Sequence, residues 1–154
     1  MKTDPTNELI NDWLSLTHIT DSISNTLEKV LQENYNLSLK EFYVLYFLSK
    51  EGNKTLRLQQ LQERVGLSQS AISRLVGRLE AKNCRALQRN VCEDDRRGVY
   101  TQLTELGEEK LQRYLVTMNE ILQSAFSDGK FDEALQLLVK RSNCKKPPFP
   151  NQRE

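Results

Sequence analysis

Apolar residues recur at three- and four-residue steps through most of the chain, the spacing of a single buried helix face. Leu9, Trp13, Leu16, Ile19, Ile23, Leu27 and Val30 or Leu31 form the first stripe and predict one long helix to about Asn34. Asp4-Pro5 opens it as an N-cap followed by proline at the first helical position. "SLKE" at 38–41 is a capping box, in which Ser38 and Glu41 satisfy each other's free backbone N–H groups. The helix it opens carries Phe42, Leu45 and Leu48 and should stop at Gly52. "TLRL" reads as short and extended, and two short helices follow over 59–65 and 69–82, separated by "GLS". From 86 to 103 the period drops to two: "ALQRNVC" and "GVYTQL" alternate around a charged cluster containing Gly98, as in a hairpin. Thr104 then caps a helix carrying Leu111, Leu115, Met118, Leu122 and Phe126, Asp128-Gly129 breaks it, and "KFDEALQLLVKR" forms a last short helix. The fold class this predicts is mainly α with one small β-hairpin.

Composition narrows the possibilities. A chain of 154 residues with 38% hydrophobic and 28% charged residues can bury one core and is expected to form one domain. No apolar run approaches the roughly 18 residues of a membrane span, and "MKTDPTNELI" lacks the layout of a signal peptide, so the expected location is the cytoplasm, with no membrane partner. Cys84, Cys92 and Cys144 are odd in number and lack CxxC spacing, which argues against a disulfide scaffold and a zinc site. Net charge is only +1, but its distribution is uneven: between Arg57 and Tyr100 nine Lys/Arg face five acids, while the rest of the chain is acidic on balance. Such a basic middle is the footprint of a polyanion-binding surface.

That middle contains "LQQLQERVGLSQSAISRLVGRLE", residues 58–80. Leu61, Val65, Leu67, Ile72 and Leu75 fall where two helices pack across a tight turn, with Gly66 at the turn and Ser68 as cap of the second helix. The outward positions are then Gln69, Ser70, Ser73, Arg74, Gly77 and Arg78, small or hydrogen-bonding and never acidic. A helix in the major groove needs such a face, with amides and arginines for base edges and cations for phosphates. The plainer alternative is a helical hairpin with a solvated face.

The order helix-turn-helix, hairpin, long helix is that of a winged helix. "LSQSAISRLVGRLEAKN" followed by "CEDDRRGVYTQLTELGEE" resembles the MarR family of bacterial winged-helix regulators, with Asp95-Arg96-Arg97 as its wing motif and Leu103-Thr104-Glu105-Leu106-Gly107 as its "LT-x-x-G". The motif-bearing match covers about 55–110. The resemblance implies a homodimeric repressor on a pseudo-palindromic double-stranded operator, joined through its first and last helices. It implies Ser68, Gln69, Ser70, Ser73 and Arg74 as recognition contacts, Arg97 braced by Asp95 in the minor groove, and Arg78 and Arg96 as phosphate contacts. The organisation expected is one domain over 1–144. Its winged-helix DNA-binding lobe covers about 38–104 and its helical dimerisation lobe about 5–34 with 105–142. Residues 145–154 form a flexible tail.

The chain departs from the family's pattern in places. Gln62 stands where alanine is usual, and "KNCRALQR" lengthens the turn into the wing, where Asn83 is the candidate for a left-handed conformation and Arg85 is unexpected. The segment after Phe126 is short. Cys84 and Cys92 flank the first wing strand and are either candidate redox thiols, which makes a thiol-sensing repressor the alternative function, or ordinary small residues. His18, the only histidine, lies on the polar side of the first helix and cannot build a metal site. Trp13, Phe42 and Tyr46 belong to the core or, as the resemblance implies, to a cleft for a phenolic or lipophilic effector. No Ser/His/Asp set, phosphate loop or metal spacing suggests an enzyme, and no cofactor is expected. A winged helix used only for protein docking is the remaining alternative.

Overall fold

A computed structural model describes residues 5–91 and 98–143. The elements run α1 (Pro5–Tyr35), α2 (Leu39–Lys50), β1 (Thr55–Arg57), α3 (Leu58–Val65), α4 (Gln69–Glu80), β2 (Leu87–Val91), β3 (Val99–Leu103), α5 (Glu105–Phe126) and α6 (Lys130–Ser142). The period-two region is the expected hairpin: β2 and β3 pair antiparallel, from Leu87 with Leu103 to Val91 with Val99. The extended "TLR" adds a third strand, because β1 pairs with the other edge of β3 and Thr55, Leu56 and Arg57 face Gln102, Thr101 and Tyr100. Thr101 is fully buried, and its hydroxyl donates to the Leu56 carbonyl (3.0 Å), which satisfies a polar group inside the core.

Helices α2 and α4 begin at serines whose side chains take up free N–H groups. Ser38 Oγ accepts the Glu41 N–H (3.1 Å), and Ser68 Oγ accepts the Ala71 N–H (3.2 Å). Each such cap is worth about 1 kcal/mol. Gly66 ends α3 in the left-handed region (φ 73°), and its N–H bonds to the Gln62 carbonyl (2.9 Å). Gln62 itself is half-buried.

The chain falls into two compact units whose limits lie inside α1 and α5: Met1–Asn25 with Leu122–Glu154, and Thr26–Ile121. In the larger unit Leu27 and Leu31 of α1 join Phe42, Val44, Leu45 and Leu48 of α2, Leu61, Ile72, Val76, Leu79 and Leu111 as buried core. There the end of α1 meets α5 through the Tyr35 and Tyr114 rings, 4.8 Å apart, and a hydrogen bond between the Tyr35 and Thr117 hydroxyls (2.6 Å). In the smaller unit Arg141 of α6 forms ion pairs with Glu8 and Asp12 of α1. That unit leaves Leu9, Ile10, Trp13, Leu14, Phe126, Leu135, Leu137 and Val139 exposed. Trp13, 54% exposed, is therefore not a core residue of the single chain.

The turn from α4 into β2 differs from expectation. Arg85 (φ 50°), not Asn83, takes the left-handed conformation. Cys84 and Arg85 both donate N–H to the Ala81 carbonyl (2.8 and 2.9 Å), and the Ala86 N–H then returns to Leu79 (2.9 Å). The chain must reverse immediately before the fully buried Ala86, so Arg85 carries the strain whatever its side chain.

The Ala86 carbonyl receives the Thr104 N–H (3.0 Å), the Thr104 hydroxyl is shared between the Arg85 (2.7 Å) and Ala86 (3.0 Å) carbonyls, and Thr104 Oγ1 caps α5 through the Gly107 N–H (2.9 Å). A Cβ on Gly107 would lie 2.0 Å from that carbonyl oxygen and 2.7 Å from Leu103 Cδ1. The spacing Thr104-x-x-Gly107 thus joins a capping hydroxyl to a position that tolerates no side chain. Gly107→Ala is expected to lower unfolding free energy by about 3 kcal/mol or more, as overpacking against backbone does. Urea unfolding followed by circular dichroism would check it; an unchanged midpoint would mean that the close approach costs nothing.

Candidate nucleic-acid interface

Helices α3 and α4 pack across the Gly66 turn through Leu61, Val65, Ile72, Leu75, Val76 and Leu79, all buried. That packing determines which side of α4 faces outward. Gln69, Ser70, Arg74 and Arg78 are exposed, and Ser73 and Gly77 are half-exposed, so the residues expected to read DNA share one outer surface. Ser68, also exposed, has its hydroxyl engaged in the cap and 3.3 Å from that of Ser70. Arg74 Nε reaches back to the Ser70 carbonyl at 3.4 Å, a weak contact that leaves the guanidinium at the surface. The first turn of α4 holds no acid, so the partial positive charge of its N-terminus is not neutralised from within the helix.

Arg78 is placed differently from its neighbours. It pairs with Glu41 of α2 at 3.3 Å, and Glu41 is only 9% exposed. Burial pushes the Glu41 carboxyl above its ordinary range; Arg78 and hydrogen bonds from Ser38 act in the opposite direction. The Ser38–Glu41 box thus carries a second function, since its carboxylate ties the start of α2 to the last turn of α4. Nothing in the sequence marked Glu41 as buried, because its capping role alone explained the residue.

The wing strands flank α4. Glu80 Oε2 accepts both the backbone N–H (2.9 Å) and Nε (3.0 Å) of Arg89 on β2. Neither residue stood out as a site residue in the sequence. The wing-tip residues Asp95, Arg96 and Arg97 lie outside the described residues, as does Cys92. Glu93, Asp94, Cys144 and the expected tail at 145–154 lie outside them too.

Of the residues expected at an effector cleft, Phe42 and Tyr46 belong to the larger unit and Trp13 to the smaller one. Phe42 is core (5% exposed) and stacks on half-buried Tyr46 (6.0 Å). Phe42 lies on the inner face of α2 with Leu45 and Leu48, which explains its burial. Within the larger unit a cavity of about 680 Å³ opens between the ends of α1 and α4, the start of α2 and α5. Tyr35, Glu41, Arg78, Cys84, Lys110 and Tyr114 line it. Lys110 Nζ donates to the Cys84 carbonyl (2.6 Å) and lies 3.9 Å from its sulfur. Burial raises the Tyr114 phenol above its usual range, so it remains an O–H donor at neutral pH. Among the described residues no group of three or more His, Cys, Asp or Glu gathers to hold a metal, and no helix is long and apolar enough to cross a membrane. His18 is exposed.

A helix pair presenting a cation-bearing, acid-poor face, followed by a paired hairpin and a capped long helix, defines a winged helix-turn-helix protein. Residues 26–114 match the family described as transcriptional regulator SarA/Rot. The HTH-type transcriptional repressor MdtR of Bacillus subtilis (strain 168) is 30% identical over 117 residues, which cover 68% of this chain and 73% of MdtR. AbsC, a MarR family transcriptional regulator from Streptomyces coelicolor, is similar in structure with a TM-score of 0.68 at 26% identity, over 84% of this chain and 90% of its own. Sco3205, a MarR family regulator of the same organism solved in complex with DNA, shares the fold with a TM-score of 0.69 at 23% identity, over 90% and 89% of the two chains. The chain belongs to the MarR-type winged helix-turn-helix transcriptional regulators.

The Glu41 carboxyl yields a pH prediction. Its folded-state pKa lies above the ordinary 4.5, so the folded chain binds the proton more tightly than the unfolded one. As pH rises from about 4.5 through the raised folded value, Glu41 withdraws stability. Glu41→Gln should therefore be at least as stable as the parent at pH 7, and its advantage should shrink on acidification. Thermal melts from pH 4 to 7 would check this; a variant clearly weaker at pH 7 would mean that the Arg78 pair outweighs burial.

Proposed function

We propose that the chain is a sequence-specific repressor that binds a pseudo-palindromic double-stranded operator as a homodimer and releases it on binding a small phenolic or lipophilic effector. The observation that carries this reading is the outer face of α4. Gln69, Ser70, Ser73 and Arg74 sit together on it, beside a helix N-terminus with no acid in its first turn. Gln69 and Arg74 suit base edges, and Ser70 and Ser73 suit phosphate oxygens or base edges. Ser68 fixes the start of the helix through its cap. On the same reading Arg97, braced by Asp95, enters the minor groove, and Arg96 meets phosphate. Arg78 is a lesser contact, since Glu41 already holds it.

The homodimer finds support in the smaller unit, which exposes eight large apolar side chains from α1, α5 and α6, more than a solitary chain would leave in water. The effector finds support in the cavity, where two tyrosine rings offer stacking and Arg78 and Lys110 offer cations to a phenolate or carboxylate. Release requires that the effector favour one arrangement of the protein over the other, since equal binding to both shifts nothing.

A gel shift on DNA flanking the gene, repeated with phenolic compounds, tests the whole reading. Ser73→Glu is expected to abolish the shift through repulsion from phosphate, and Arg97→Ala to weaken it without changing the melting temperature. A full shift with Ser73→Glu would mean that α4 faces elsewhere. Trp13→Asp should convert a dimer to a monomer in sedimentation, and a dimer that persists would move the interface off α1.

A further inference from the structure

The outer row of α4 runs from Ser70 to Ser73 and Arg74, then reaches Gly77, which brings no side chain. Arg89 of β2 fills that place. On its strand Arg89 alternates with Gln88 and Asn90, whose amides pair with Gln102 on the opposite side. It shares the face of Leu87 and sits across from Thr101, both buried. A charged residue on a core-facing side must run out along a neighbour to keep its head in water. Arg89 does so over α4: Glu80 takes its backbone N–H and Nε, and Nη2 ends 3.8 Å from where a Cβ on Gly77 would stand. Glu80 binds only the Nε edge of the guanidinium, and the side chain remains 36% exposed. Its terminal N–H groups thus lie one helical turn beyond Ser73 and Arg74.

We propose that Arg89 is a DNA-phosphate contact supplied by the wing strand to the recognition face, and that Glu80 is the residue that positions it. The proposal rests on the reading of α4 as the DNA-facing helix. A guanidinium held along one edge presents its remaining donors in a fixed plane, the geometry that grips two oxygens of one phosphodiester. Glu80 is the only carboxylate in α4, and left alone it would repel that phosphate. Paired with Arg89, it becomes a brace.

The test measures binding of a mixed-sequence duplex of roughly 30 base pairs by fluorescence anisotropy across a KCl series, with melting curves as a fold control. Loss of one phosphate contact makes the plot of log K against log[KCl] shallower by about 0.9 per bound chain, equivalent to roughly eightfold weaker binding at 0.1 M. Arg89→Gln is expected to show that change, and Arg89→Lys to keep the parent slope. Glu80→Ala removes a negative charge near DNA and on charge alone would tighten binding; the expected result is weaker binding, and Glu80→Gln, which keeps an acceptor, should restore it. Arg74→Ala runs beside these to report on α4 itself. If Arg74→Ala weakens binding while Arg89→Gln keeps the full slope, or if Glu80→Ala binds more tightly than the parent, the proposal falls and the reading of α4 stands. If the parent chain does not bind the duplex even at the lowest salt, the reading of α4 falls and takes the proposal with it. Should Arg89→Gln fail to melt cooperatively, the sign of the Glu80→Ala effect decides.

Discussion

One carbonyl oxygen, that of Ala86, holds the larger unit in register. It receives the Thr104 N–H and shares the Thr104 hydroxyl with the Arg85 carbonyl, lies against the bare backbone of Gly107, and belongs to a residue whose own N–H closes the end of α4. Helix α4, strand β2, the end of β3 and the start of α5 all meet there. A buried backbone carbonyl with good partners contributes modestly to net stability, but leaving it unpartnered is costly. The cost of disorder at this point therefore falls on these four elements at once.

Around that junction, charge is used for placement more than for cohesion. The Glu41–Arg78 and Glu80–Arg89 pairs each join α4 to a neighbour, α2 in one case and β2 in the other. The half-exposed Glu80–Arg89 pair adds little to stability, and the burial of Glu41 offsets what its pairing with Arg78 contributes. Their effect is positional, since each fastens a side chain of α4 to the neighbouring element. The buried apolar face sets which side of the helix points outward, and the two ion pairs fasten that side to its neighbours.

The sequence revealed the elements wherever a local signal sufficed. Stripes at helical spacing, the caps at Ser38, Ser68 and Thr104, and the turn glycine at 66 all act within a few residues, and the structure has each in place. What it concealed depends on partners far along the chain. Strand β1 read as extended, but its pairing did not show, because three residues carry no period and the edge it joins belongs to β3. Arg85 adopts the strained conformation because Ala86 must be buried, a demand that outranks the milder preference of Asn83. Phe42 and Trp13 looked alike as aromatic positions on helical stripes, yet one is core and the other exposed. The outer face of α4 was legible because composition alone marks it. The Glu80–Arg89 bond was not, because only the folded sheet brings β2 across the helix.

The Glu80–Arg89 bond also bears on modularity. Helix-turn-helix segments are natural units to transplant when a regulator is to be given a new target, and residues 58–80 look self-contained. Moved without β2, the segment would bring Glu80 to the outer surface with its charge unopposed and would leave the notch at Gly77 empty. The smallest portable unit of this protein's surface is therefore the helix pair together with at least strand β2, because the outer face of α4 is completed by a residue of that strand.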